Sequence, residues 1–128
     1  MGDDAIYALG KARAEFGLGH PQEAVATLDD LRRRWPDYQS AEGHLLYARA
    51  LEESGRIEDA LAEYRAVANY YPGAEARVRY GQLLQKADRR DEAKAVLSEV
   101  LAQFKRAPAY VKRAQAEWIA LAENALRS

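Results

Sequence analysis

The chain has 128 residues, 48% of them hydrophobic, and its 20 acidic and 19 basic side chains leave a formal net charge of −1. That length supports one compact domain, expected over residues 1–128, and so small a net charge creates no global field that would gather nucleic acid. The absence of cysteine excludes disulfides, thiolate metal sites and a cysteine nucleophile.

Taken in chain order, apolar residues at helical spacing predict helices near 4–17, 21–34, 41–54, 57–70, 74–87, 90–105 and 108–127. The first six fall into three similar pairs. Gly55-Arg-Ile-Glu-Asp-Ala60 has a counterpart 36 residues upstream in Gly19-His-Pro-Gln-Glu-Ala24 and another 33 residues downstream in Asp88-Arg-Arg-Asp-Glu-Ala93. Ahead of each lies a small-residue segment: Ala12-Arg13-Ala14, Ala48-Arg49-Ala50 and Gly81-Gln82-Leu83. Behind each come a large residue (Leu28, Tyr64, Leu97), an aliphatic one (Leu31, Val67, Val100) and an aromatic (Trp35, Tyr71, Phe104). Proline follows the first two aromatics as Pro36 and Pro72; lacking an amide hydrogen, it stops a helix. Ser54-Gly55 supplies the stop inside the hairpin, because glycine tolerates the left-handed cap. Each unit is thus a helical hairpin, over residues 5–38, 41–73 and 74–107, with Trp35, Tyr71 and Phe104 expected in the core. The last helix opens at Pro108 and carries Val111, Ala114, Trp118, Leu121, Ala122 and Ala125 on one face. It is expected to cap the apolar end of the stack.

On these motifs the chain resembles the tetratricopeptide repeat family, whose units of ~34 residues are helix–turn–helix pairs. The resemblance implies an all-α, right-handed solenoid of three hairpins plus a C-terminal capping helix. His44 stands where the family often has tryptophan, and the extra residues of the first spacing fall in Asp37-Tyr38-Gln39-Ser40. More loosely, Tyr71-Pro-Gly-Ala-Glu-Ala-Arg-Val-Arg-Tyr-Gly81 is similar to the soluble part of bacterial repeat proteins whose repeats follow a membrane-spanning segment. Abundant alanine, and arginine in excess of lysine, fit a bacterial source. No apolar run in these residues approaches the ~20 needed to span a bilayer, and no signal-peptide pattern opens the chain. A cytoplasmic location is expected, either alone or as the soluble domain of an anchored protein.

Catalysis finds no candidate set. His20 and His44 lack the spacing of a helical metal pair, and no serine sits in a nucleophile elbow. Glu52-Glu53 and Asp29-Asp30 are adjacent and so diverge on a helix rather than facing each other across a cleft. Arg32-Arg33-Arg34 closes a helix, where cations complement the dipole, and reads as a solvated end rather than a nucleic-acid site. No enzymatic activity, cofactor, metal or nucleic-acid partner is expected, nor membrane contact by this segment itself.

The resemblance places the first helix of each hairpin on a concave surface. Projected there are Leu9, Arg13 and Phe16 from the first unit, then Leu45, Arg49 and Glu52 from the second. The third contributes Val78, Arg79, Gln82, Gln85 and Lys86, and the cap Lys112. Arginine grips a carboxylate with two parallel hydrogen bonds, so the groove suits a peptide or partner segment bearing an acidic residue or a free C-terminus. Leu9, Leu45 and Val78 would supply apolar contact. In the competing reading these arginines pair with Glu42, Glu52 or Glu75 and are structural. The functional expectation is a protein-interaction scaffold; the alternative is an assembly module that self-associates as a homo-oligomer or supports an attached membrane segment.

Overall fold

The computed structural model describes residues 2–128, and among these it contains eight α-helices and no strand. They are α1 (Gly2–Gly17), α2 (Pro21–Arg34), α3 (Ala41–Glu53), α4 (Ile57–Ala68), α5 (Glu75–Lys86), α6 (Arg90–Lys105), α7 (Ala109–Ala114) and α8 (Ala116–Leu126). Two compact units divide the chain between Glu63 and Tyr64, within α4.

The same turn is built three times. Gly19, Gly55 and Asp88 all have positive φ, at 82°, 81° and 62°. At the second of these, Gly55 N–H reaches Glu52 O and Arg56 N–H reaches Leu51 O, at 3.0 and 2.9 Å. Equivalent pairs form at Gly19–His20 and Asp88–Arg89, so the orphan carbonyls of each helix end are satisfied by a left-handed C-terminal cap. The next helix starts at once, with Ala24, Ala60 and Ala93 each donating to the carbonyl four residues back.

In the first unit α1 packs on α2, and α2 and α1 pack on α3. Its core holds Ala5, Leu9, Ala12, Ala24, Leu28, Leu45, Ala48 and Leu51. Ser40 caps α3, its hydroxyl accepting the Gly43 amide at 3.0 Å.

In the second unit α5 packs on α6, and α8 lies against both. Ala74, Val78, Leu97, Val100, Phe104 and Ala122 form its buried cluster, with Trp118 and Leu121 packed against it. Gly81 is where α5 meets Leu97: a Cβ there would lie 2.6 Å from the Leu97 Cγ and Cδ2 atoms.

Several expectations change. The C-terminal helix is two helices, broken at Gln115 (φ −105°, ψ 10°), and Pro108 precedes the first turn rather than occupying it. The Gln115 side chain supplies the reason: its Oε1 accepts the Ala74 amide at 2.9 Å and lies against Gly73. Helix α4 ends at Ala68, four residues short of Pro72. Phe104 is buried, whereas Trp35 and Tyr71 are only half-buried. No described helix is long and apolar enough to cross a membrane.

Candidate functional site

Helices α1 and α3 bring the first two groups of expected site residues together. Arg13 and Phe16 are one turn apart on α1 and therefore share a face. The Arg13 guanidinium pairs with Glu42 of α3 at 3.1 Å, and both side chains are more than half exposed. Arg49, two turns beyond Glu42, lies over the Phe16 ring at 4.8 Å from its centroid. Glu42, Arg13, Phe16 and Arg49 thus form one continuous patch, and Glu52 follows Arg49 on α3, half-buried.

Leu9 and Leu45 are buried beneath this patch, and Val78 is fully buried in the second unit. None of the three offers surface to a ligand, which corrects the expectation that they form an apolar floor. Each belongs to the packing between helices, only one or two residues along from an outward position.

In the second unit the expected residues are tied by neighbours. Arg79 donates to Glu75 at 2.8 Å, one helical turn away, and lies 5.0 Å from the Trp118 ring centroid. Gln85 donates from its side-chain amide to the Ala125 carbonyl at 2.8 Å. Gln82, Gln85 and Lys86 line a shallow depression of about 340 Å³ with Leu121 and Asn124. Lys112 is exposed on α7. Arg79 and Arg13 are thus each paired with a glutamate, Arg79 in a part-buried pair and Arg13 in an exposed one.

A second polar cluster, not anticipated, joins α2, α3 and α4. Tyr47 donates its hydroxyl to Asp29 at 2.5 Å, and the Arg32 guanidinium stacks 4.1 Å from the Tyr47 ring centroid. Arg32 also reaches Glu63 at 3.0 Å, and His44 Nε2 lies 2.8 Å from the same Glu63 oxygen. An ionised carboxylate only accepts, so this nitrogen carries the proton. The hydrogen bond from His44 holds the Glu63 carboxyl down at about 2, with Arg32 acting in the same direction against the opposing effect of burial. Burial, followed by the bond to Asp29, pushes the Tyr47 phenol up to about 12. These contacts tie α2, α3 and α4 together. The one signal in the sequence was His44, a polar side chain at a packed helical position. Among the described residues no group of histidine, aspartate or glutamate is arranged to hold a metal.

Comparison with protein-family models matches the tetratricopeptide repeat over residues 9–75 and again over residues 75–107. Curated proteins gave no significant match. Solved structures with a similar backbone include MamA 41-end from Desulfovibrio magneticus RS-1 and a MamA RS-1 ArsTM double mutant, with TM-scores of 0.70 and 0.69. Both are 24% identical to this chain, and the match covers 98% of it and 67% of each of them; at that identity the likeness concerns the fold. With two family matches lying end to end over three consecutive hairpins, the chain belongs to the tetratricopeptide repeat family, a fold that serves as a scaffold for protein–protein contact.

Proposed function

We propose that the protein is a non-catalytic scaffold that receives an acidic peptide segment on the α1–α3 face of its first unit, through Arg13 and Arg49. The observation that carries this reading is the exposed Arg13–Glu42 pair beside the Arg49–Phe16 stack. An ion pair between exposed side chains contributes only about 0–1 kcal/mol, so a partner's carboxylate can replace Glu42 at little cost. That carboxylate, whether a side chain or a C-terminus, would gain two charge-assisted hydrogen bonds from the guanidinium. Phe16 presents an aromatic edge for an adjoining apolar residue, while Leu9 and Leu45 keep the two helices in register beneath it.

The test is a melting experiment with peptides that end in Leu-Glu, with either a free or an amidated C-terminus. Saturating acidic peptide is expected to raise the Tm, since a ligand at 100 times its Kd stabilises by about 2.7 kcal/mol. Arg49→Glu is expected to abolish the rise while leaving the far-UV spectrum unchanged. No shift with any acidic peptide, or an undiminished shift in the variant, would remove the α1–α3 face from consideration.

A further inference from the structure

Glu42 and Glu75 stand at equivalent places, in the first turns of α3 and α5, where a carboxylate complements the positive end of the helix dipole. What each finds one turn further on differs. Glu75 meets Arg79 on its own helix, at 2.8 Å, in a part-buried pair. Beyond Glu42 the corresponding positions are Leu45 and Leu46, both buried, so its own helix offers no cation at the spacing of an in-helix pair. Glu42 turns instead to Arg13 of α1, 29 positions away in the chain. The exposed pairs Arg33–Asp30 and Arg56–Asp59 join residues only three positions apart. The Arg13–Glu42 pair bridges two helices and still lies in water, its side chains 57% and 73% exposed.

Arg49 is held differently. Its guanidinium lies over the Phe16 ring, and among the described residues no carboxylate pairs with it. The patch therefore presents one cation open to an anion and one already occupied by a carboxylate of the chain itself.

From this asymmetry we infer that Glu42 is an autoinhibitory contact, an internal competitor that closes Arg13 in the free protein. The inference rests on the acidic-segment reading of the α1–α3 face and adds its regulation. A segment with one carboxylate settles on Arg49 and leaves the Arg13–Glu42 pair intact. A second carboxylate gains little, because it exchanges one ion pair for another and leaves Glu42 beside it without a partner. An internal contact lowers apparent affinity by the fraction of molecules in which it is open. For a pair this exposed the factor is small, about two- to fivefold. Glu42 thus sets a threshold that a segment with two carboxylates only just meets.

Isothermal titration calorimetry with the peptides ending in Leu-Glu tests this, since the free C-terminus offers two carboxylates and the amidated form one. In the native chain the free peptide is expected to bind no more than about twofold tighter than the amidated one. In Glu42→Gln that advantage should widen by about two- to fivefold, and Glu42→Ala should repeat the result. In Arg13→Gln, removing Glu42 as well should leave the advantage unchanged, whereas the general field of a lost charge would act in both backgrounds. Circular dichroism should show each variant to be folded. If the native chain binds and Glu42→Gln leaves the advantage as it was, or alters it equally with and without Arg13, Glu42 is no competitor and the α1–α3 face stands. If neither peptide binds the native chain or Glu42→Gln, the face itself is removed, and the competitor with it.

Discussion

At the scale of single residues, Glu63 has the most to lose from a change of pH. Its carboxyl is held at about 2 in the folded protein against an ordinary 4.5. A depressed carboxylate contributes stability that is complete above its unfolded value and lost as pH falls through its folded one. The window is therefore about pH 4.5 down to 2. The full shift would correspond to roughly 3 kcal/mol, and partial exposure of the side chain reduces the expected loss to about 2 kcal/mol. Urea titrations of the native chain and Glu63→Gln at pH 7, 4.5 and 3 measure it: the variant should be the less stable at pH 7, and the gap should have narrowed to about half by pH 3, closing only below about pH 2. Equal stability at pH 7 would show that the cluster contributes no net stability. Backbone strain gives a second expectation. Asp88 adopts at φ 62° the conformation that glycine supplies in the two equivalent turns, and its pair with Arg90 is wholly solvated. Asp88→Gly should stabilise by about 0.5–1 kcal/mol, raising the Tm by about 2–5 °C. Gly81→Ala should do the reverse, because its Cβ would lie 2.6 Å from a fully buried Leu97 side chain that would have to shift. A loss of about 1–3 kcal/mol is expected in thermal melts.

At the scale of elements, the sequence was most legible where local rules decide the outcome. Helix starts and stops at Pro21, Arg34, Ile57 and Arg90 follow from the turn glycines, the prolines and the 3.6-residue apolar period. It was least legible where tertiary contacts decide. Gln115 is a good helix former, and nothing in residues 109–126 announces a break; the break goes with a bond to Ala74, 41 positions away. The joint of Asp29, Arg32, His44, Tyr47 and Glu63 likewise assembles from three helices. The placing of Leu9, Leu45 and Val78 failed for a geometric reason: on a helix, a shift of one residue turns a side chain by about 100°, enough to move it from a groove into a hairpin interface. Helix α8 is where an element-scale test is sharpest. It covers Val78, Leu97, Val100 and Phe104 through Ala122 and Trp118. A chain ending at Ala107 should expose that cluster, bind an apolar dye such as ANS and lose cooperative unfolding in its second unit. A truncated chain that melts cooperatively without binding dye would show that α8 is dispensable.

For the whole molecule, the packed pairs α1–α2, α2–α3, α5–α6 and α6–α8 share one property: each closes over a short stretch of chain. The longest bond of the polar joint spans 31 positions, from Arg32 to Glu63, and the longest side-chain bond named above spans 41, from Ala74 to Gln115. Loop closure is therefore inexpensive at every step, and no pairing of distant strands has to be found before contacts accumulate. Chains with such local contacts fold in microseconds to milliseconds. Stopped-flow refolding from urea, followed by the fluorescence of Trp35 and Trp118, should show its main phase complete within about 10 milliseconds at 25 °C. The four prolines add a minor phase of tens of seconds from isomers present in the unfolded chain, which a prolyl isomerase should accelerate. The two tryptophans lie in different compact units, so Trp35→Phe and Trp118→Phe report the units one at a time. Matching fast phases in both variants are expected if local closure sets the rate. A main phase of seconds that a prolyl isomerase leaves untouched would mean that a later, non-local step limits folding.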